Sequence, residues 1–170
     1  KNVISYNRTY KSFRKIFYPK NYDEIKKILK SVKDKKTKIL VKSGGCGHGD
    51  KTNLGTSDLI MSLEKINKIK DFNIRKLTLT AQSGINLHTL FETLKNKNLS
   101  ILNVPGGKNV SLGGAIAGNV HGRPQMNNFA VFGDNIISLK VMLENGKIIK
   151  ISKKNKLFYK IIGGLSLFGI

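Results

Sequence analysis

The sequence predicts an α+β fold, because short strand patterns and amphipathic helix patterns alternate along its 170 residues. Two glycine-rich segments, residues 43–49 and 104–122, interrupt this alternation and are typical of loops. A chain of this length can form one domain or two small subdomains around an ordinary hydrophobic core. We expect two α+β subdomains, residues 1–65 and 66–170, with a ligand groove between them.

Helices are predicted where apolar residues recur at helical spacing or follow a suitable N-cap residue. Residues 21–32 show this spacing behind Asn21, whose side chain can cap a helix. Residues 86–97 repeat the spacing and place His88 on the exposed side. Ser111 is positioned to cap a short helix that ends at residue 117, and residues 156–162 are expected to form the last helix.

Strands are predicted where β-branched and apolar residues run between these helices. The first candidates are residues 38–42, 59–63 and 77–81. Residues 136–143 and 147–152 flank Glu144-Asn145-Gly146, a sequence typical of a hairpin turn.

The two glycine-rich segments have the composition of backbone that contacts a ligand. Residues 43–49 directly follow a predicted apolar strand, and residues 104–122 contain six glycines, a Pro-Gly turn and His121. Glycine allows positive φ and close approach of another molecule, at a cost of about 0.5–1 kcal/mol inside regular structure. Either loop alone would more often be a plain connection. Together they indicate opposite walls of a site for a large ligand.

Neither segment matches the common nucleotide-binding motifs. In a Walker loop a lysine directly follows the last glycine, whereas Asp50 intervenes here between Gly49 and Lys51. The dinucleotide fingerprint leads straight into a helix, whereas residues 45–49 continue into a polar loop. Both motifs are therefore set aside.

Seven segments carry a family resemblance through their order and spacing. They are residues 7–9, 45–50, 105–106 with 110–116, 120–122, 132–133, 144–146 and 163–170. In these segments the chain resembles the FAD-binding (PCMH-type) domain of the vanillyl-alcohol-oxidase and p-cresol-methylhydroxylase flavoprotein superfamily, closest to the decaprenylphosphoryl-ribose oxidase-like FAD-linked oxidases. The resemblance covers nearly the whole chain and implies two α+β subdomains with FAD between them.

The resemblance also implies which residues hold the cofactor. The first loop would wrap the FAD pyrophosphate, the second would run along the pyrophosphate and the isoalloxazine, and the last segment would return to the flavin. Converging backbone N–H groups, in a loop or at a helix N-terminus, suit a pyrophosphate. No metal site is expected. The expected cofactor-binding residues are Ser43, Gly44, Gly45, Cys46, Gly47, His48, Gly49, Gly106, Ser111, Leu112, Gly113, Gly114, Gly118, Asn119, Val120, His121, Gly122 and Ile170.

Two residues after the short helix are expected to be catalytic. In the resembled oxidases, the histidine that matches His121 lies at the flavin and lines the substrate pocket. Arg123 stands where that family has a lysine, and its charge could steady reduced flavin or grip an acidic substrate. The alternatives are a buried structural histidine and a surface ion pair.

The resemblance bears on how the flavin is attached. Some relatives carry a histidine that bonds covalently to the isoalloxazine, and here Cys46 occupies that position, with His48 nearby. The decaprenylphosphoryl-ribose branch also lacks this histidine, so we expect FAD to bind non-covalently. Ser166 and Phe168 depart from the usual glycine and threonine of the last segment.

The implied activity is that of an FAD-dependent oxidase or dehydrogenase acting on CH–OH donors. We expect oxidation of a secondary alcohol, on a sugar or sugar derivative, by hydride transfer to flavin N5. A substrate-binding domain follows this one in the family and is absent from these 170 residues, so we expect a part of a longer protein that binds FAD without turnover. A nucleotide- or nucleic-acid-binding module and a non-catalytic flavin-fold interaction protein are the alternatives.

The net charge and the number of cysteines limit the kinds of binding partner and the cellular location that we expect. The net charge of +21 comes from 31 Lys and Arg against 10 Asp and Glu. These lysines are scattered among Asn and Ile, which argues against specific nucleic-acid binding and leaves weak association with anionic surfaces. The single cysteine excludes an internal disulfide and favours a reducing, cytoplasmic location. The longest apolar run, residues 161–170, is broken by three glycines and is too short for a transmembrane helix.

Overall fold

The computed structural model describes residues 2–4, 11–33, 36–47, 58–122 and 130–170. Strands and helices alternate in these residues, so the predicted α+β class is confirmed. The strands are β1 (Asn2–Ile4), β2 (Lys11–Phe13), β3 (Lys15–Phe17), β4 (Ile39–Lys42), β5 (Leu59–Ser62), β6 (Ile69–Asn73), β7 (Thr78–Ala81), β8 (Ser138–Met142) and β9 (Ile148–Ser152). The helices are α1 (Tyr22–Val32), α2 (Leu87–Lys95), α3 (Leu112–Ala117) and α4 (Lys156–Ile161), with a 3₁₀ helix at Phe132–Asn135.

A parallel sheet in the order β3-β5-β4 packs with α1. All four residues of the central strand β5 are buried, as expected of a parallel strand that is covered on both faces. Helix α1 begins at the predicted cap, where the Asn21 side chain accepts a hydrogen bond from the Glu24 backbone N–H at 2.9 Å. Ile25 of α1 and Met61 of β5 belong to the same buried cluster. The carboxyl end of β4 therefore projects from a rigid support.

Two antiparallel hairpins, β6–β7 and β8–β9, follow the parallel sheet in the chain. The predicted turn at residues 144–146 joins β8 to β9, and Gly146 adopts a φ of +80° there. Leu90 of α2, Ile116 of α3 and Phe132 of the 3₁₀ helix share a second buried cluster. This cluster holds α3, and with it the second glycine-rich loop, in place.

The last residue joins the C-terminal hairpin to the core beneath α1. Ile170 and Met142 exchange backbone hydrogen bonds of 2.9 and 2.8 Å, which adds one extended residue to the edge of β8. Both side chains pack with Ile25 and Met61. The division into residues 1–65 and 66–170 stays a prediction.

The structure contains elements that the sequence patterns did not predict, namely β1, β2, β3, β6 and the 3₁₀ helix. The predicted helices and strands are present, mostly one or two residues shorter at their ends. Within the described residues, no helix combines the length and the apolar character that crossing a membrane requires.

Candidate cofactor-binding site

The first glycine-rich loop leaves the sheet at the carboxyl end of β4, the edge at which α/β sheets usually bind ligands. Gly45 has a φ of +68°, in the left-handed region that favours glycine. In the part of the chain that the structure describes, the backbone N–H groups of Gly45, Cys46 and Gly47 donate no hydrogen bond. In the same part of the chain, the buried Ser43 hydroxyl has no hydrogen-bond partner. The loop therefore offers several donors to a ligand.

The two glycine-rich loops meet at Gly44. A side chain there would overlap the Asn109 carbonyl oxygen and would place its Cβ 3.0 Å from the Ser111 nitrogen. The Gly44 backbone N–H donates a hydrogen bond to the Ser111 hydroxyl at 3.4 Å. The structure thus brings together the two segments that the sequence assigns to one ligand.

Ser111 caps helix α3, as predicted, but the first N–H groups of the helix are already bonded within the protein. The Leu112 N–H donates to the Ile85 carbonyl at 2.8 Å, and the Gly113 N–H donates to the Ser83 carbonyl at 2.7 Å. The Gly114 N–H donates to the Ser111 hydroxyl at 3.2 Å. These three residues would therefore contact a ligand through their other atoms, and the free donors are those of the first loop.

A cavity of about 450 Å³ lies beside the junction of the loops. Its lining is largely polar and consists of Ser43, Gly44, Glu64, Asn67, Gly84, Ile85, Asn86, Thr89, Asn109 and Ser111. Sequence reasoning assigned Ser43, Gly44 and Ser111 to the site and missed the others. Apart from Asn109, which lies within the second glycine-rich segment, the missed residues belong to no motif and come together only through folding. In the sequence, the isolated glycine Gly84 was the one sign that this turn packs closely on another segment. The structure shows why: a Cβ at Gly84 would overlap the Leu63 carbonyl oxygen, because the turn before α2 packs on the segment after β5.

Lys42, Cys46 and Glu64 are ionisable side chains that interact electrostatically at the base of the first loop. Burial lowers the pKa of the Lys42 ammonium group, and the charges of Glu64 and Cys46 partly oppose this effect. Burial also raises the pKa of the Cys46 thiol, against the smaller effect of Lys42. The Cys46 sulfur donates a weak hydrogen bond to the Gly44 carbonyl at 3.6 Å. These shifts favour the protonated thiol of Cys46.

The residues that follow α3 are held by its C-terminal end. Gly118 donates its backbone N–H to the Gly114 carbonyl, and Val120 donates to Ala115. Asn119 has a φ of +41°, and its side-chain oxygen accepts the Gly133 N–H at 3.0 Å.

Beyond this point His121 is exposed, while the neighbouring Gly122 is buried against the Val104 carbonyl, which a Cβ would overlap. His121 is thus presented to solvent beside a fixed backbone position.

The remaining predicted residues lie elsewhere or outside the described chain. Gly106 is exposed, and a Cβ there would meet no atom of the described residues within 4 Å. Ile170 pairs with Met142, away from the lining of the cavity. His48, Gly49 and Arg123 lie outside the described residues.

Comparison with known proteins finds a family described as FAD binding domain, which matches residues 13–152. A putative D-arabinono-1,4-lactone oxidase of Neurospora crassa is 26% identical over 89% of this chain and 27% of its own length. The mitochondrial D-lactate dehydrogenase [cytochrome] 1 of Saccharomyces cerevisiae is 28% identical over 92% of this chain and 26% of its own length. A decaprenylphosphoryl-beta-D-ribose oxidase of Mycolicibacterium smegmatis is 24% identical over 78% of this chain and 29% of its own length.

Among solved structures, 6-hydroxy-D-nicotine oxidase from Arthrobacter nicotinovorans superposes with a TM-score of 0.80 at 18% sequence identity. The match covers 94% of this chain and 35% of that one. At this identity the likeness concerns the fold. The chain spans less than a third of the length of each relative named above.

Proposed function

We propose, from the premise that this chain belongs to the family of FAD binding domains, that it is the cofactor-binding part of an oxidoreductase that oxidises a secondary alcohol of a sugar or sugar derivative. FAD is its cofactor, and the predicted PCMH-type α+β fold is confirmed by the family match and by the structural neighbour. The relatives' names, which include a lactone oxidase and a lactate dehydrogenase, support an oxidoreductase with a small-molecule substrate. The choice of a sugar alcohol is our proposal.

The observation that carries the proposal is the junction of the two glycine-rich loops. Within the described chain, the first of these loops carries the free backbone donors of residues 45–47 and the unpartnered hydroxyl of Ser43. Such donors suit a pyrophosphate, whose oxygens accept several hydrogen bonds. The residues present therefore fit FAD. We expect Ser43 to Gly47 to hold its pyrophosphate and the polar residues of the cavity to hydrogen-bond to its remaining polar groups.

When bound, FAD supplies a two-electron acceptor that takes a hydride from the donor carbon. The chain's own residues would bind and orient this acceptor. We propose that His121 contacts the substrate, because it is exposed on a segment whose neighbours are fixed by hydrogen bonds and by the buried Gly122. Arg123 follows it in sequence and is kept as a proposed contact. The hydroxyl proton of the substrate has to pass to a base as the carbonyl forms.

We also propose that the flavin is held without a covalent bond, since the raised pKa of Cys46 disfavours the reactive thiolate. Flavin released completely by acid or heat would support this. Fluorescence that remains with the denatured polypeptide on a gel would refute it. A cytoplasmic location remains a proposal that rests on the single cysteine.

The test of cofactor binding is a titration of the 170-residue chain with FAD. Saturable quenching of flavin fluorescence is expected, together with a flavin absorption band at about 450 nm that stays with the protein after unbound FAD is removed. Failure to bind FAD would contradict the proposal. An absorption band at about 260 nm that nuclease treatment removes would instead favour a nucleic-acid-binding module.

The test of chemistry compares this chain with a version extended by its natural downstream sequence. Each is loaded with FAD and mixed anaerobically with D-lactate, a sugar lactone and a sugar alcohol, and flavin bleaching is followed. We expect reduction only in the extended protein, because orienting the donor is worth about 7–11 kcal/mol of a barrier. Rapid bleaching by the 170-residue chain would show that the domain alone positions the substrate.

A further inference from the structure

Lys42 is a half-buried lysine at the start of the first glycine-rich loop. It is the last residue of β4 and lies in register with Ser62 of β5. Its carbonyl accepts the Leu63 N–H at 2.7 Å, so its backbone is held to the chain that continues from β5. Its side chain turns toward the loop: a Cβ added to Gly45 would lie 2.9 Å from Lys42 Cε and 3.3 Å from Lys42 Nζ.

The charge of this lysine is only partly compensated within the described chain. Among the described residues, the ion pair with a nitrogen–oxygen distance below 4.0 Å joins Lys26 to Asp23 on the surface of α1, and it does not involve Lys42. Glu64 is near enough to raise the pKa of Lys42, but its carboxylate accepts a hydrogen bond from the Ser62 hydroxyl at 3.1 Å. Partial burial of a cation without a close counter-ion is unfavourable, which is why the pKa of Lys42 is lowered. A bound anion would remove this penalty.

We propose that Lys42 is the cationic side chain that neutralises the pyrophosphate of FAD at the first glycine-rich loop. The proposal rests on the proposed function and adds a charged side chain to a cradle that otherwise consists of backbone donors. Three observations meet here: the ammonium group lies against Gly45, the N–H groups of residues 45–47 are free within the described chain, and Ser43 Oγ is unpartnered there. All three suit a doubly charged group with several acceptor oxygens.

The competing explanation is that Lys42 serves the protein alone, by balancing Glu64 across the β4–β5 edge. That role predicts a loss of stability on substitution, with equal effects on all ligands. The proposal predicts a difference between ligands that carry the pyrophosphate and ligands that lack it. ADP and FAD carry it, and riboflavin does not.

The experiment measures the affinity of FAD, ADP and riboflavin for wild type, Lys42→Met and Lys42→Arg by calorimetry and fluorescence. Lys38→Met is the matched control, because it removes the same charge from an exposed site just before β4. For Lys42→Met we expect about 10- to 30-fold weaker binding of FAD and ADP, as for loss of a charge-assisted hydrogen bond, with riboflavin changed less than about twofold. Lys42→Arg should stay within about threefold of wild type, and Lys38→Met within about twofold.

Equal losses for FAD and riboflavin, or a Lys38→Met effect as large as that of Lys42→Met, would overturn the proposal. If Lys42→Met does not fold, lysine acetylation of the wild-type chain followed by mass spectrometry decides. ADP should protect Lys42 and leave Lys38 as reactive as before. Unchanged reactivity of Lys42 at saturating ADP would refute its role, whereas a wild-type chain that binds neither FAD nor ADP would refute the proposed function itself.

Discussion

Replacing Ser111 with alanine tests whether one buried hydroxyl holds the two glycine-rich loops together. Ser111 is 3% exposed, and its hydroxyl accepts the N–H groups of Gly114 at 3.2 Å and Gly44 at 3.4 Å. Loss of the N-cap hydrogen bond costs about 1 kcal/mol. The Gly44 hydrogen bond is long, so its loss adds about 0.5 kcal/mol. We expect the free energy of unfolding to fall by about 1–2 kcal/mol, which lowers Tm by about 2–8 °C for a domain of this size.

Urea unfolding followed by circular dichroism measures the stability, and an FAD titration measures the effect on the site. FAD affinity should fall by about 3- to 10-fold, because the two loops are no longer held in one arrangement before binding. Ser100→Ala is the matched control, since Ser100 is exposed and its hydroxyl donates one hydrogen bond, to the Ile101 carbonyl at 3.3 Å. The control should change stability by less than about 0.5 kcal/mol. A Ser111→Ala chain with wild-type unfolding midpoint and wild-type FAD affinity would refute the junction as described.

Three further outcomes are expected. Gly106→Ala should raise the free energy of unfolding by about 0.4–1 kcal/mol, because its Cβ meets no atom of the described residues within 4 Å and alanine restricts the unfolded chain, and it should weaken FAD binding; unaltered affinity would exclude Gly106 from the site. Ser166→Gly should raise stability by about 1 kcal/mol in urea unfolding, since Ser166 has a φ of +64° that costs a non-glycine residue strain; no gain would contradict this. Alkylation of Cys46, followed by mass spectrometry, should require a higher pH in the folded chain than in urea, because burial raises its pKa and keeps the thiol protonated; coincident pH profiles would contradict the burial effect.

Local signals in the sequence were enough to predict the helices and the hairpin turn. The caps at Asn21 and Ser111 depend on a side chain and a backbone N–H three residues later, so a few neighbouring residues determine them. Likewise, Gly146 adopts the positive φ that its turn sequence indicates. By contrast, β3 (Lys15–Phe17) and β6 (Ile69–Asn73) mix charged and apolar residues without a clear period. They are strands because β5 and β7 pair with them, which no local pattern reveals.

For the site, as for the fold, the sequence predicted the parts that depend on neighbouring residues and missed the parts that depend on distant ones. Glycine-rich composition indicated both loops, and the structure brings them together at Gly44. The polar side chains of the cavity, such as Asn67, Asn86 and Thr89, have no distinguishing neighbours in sequence. The sequence also predicted that Ser111 and the first residues of α3 contact the cofactor. The first N–H groups of α3 are instead bonded to Ser83 and Ile85, because α3 packs directly on the turn that precedes α2.

The glycines of the two loops are required for different physical reasons, and these reasons indicate where we expect FAD to make contact. Gly44 and Gly122 have no room for a Cβ, which would overlap a carbonyl oxygen of another segment, so protein packing accounts for them. Gly45 is required by its φ of +68°. Gly106 has neither constraint within the described chain, since its φ is not positive and the space beside it is open. A glycine costs up to about 1 kcal/mol of conformational entropy. Because the fold itself gives no reason for that cost at Gly106, we expect the reason to be close approach of a bound molecule, which places this exposed position among the first to examine for contact with FAD.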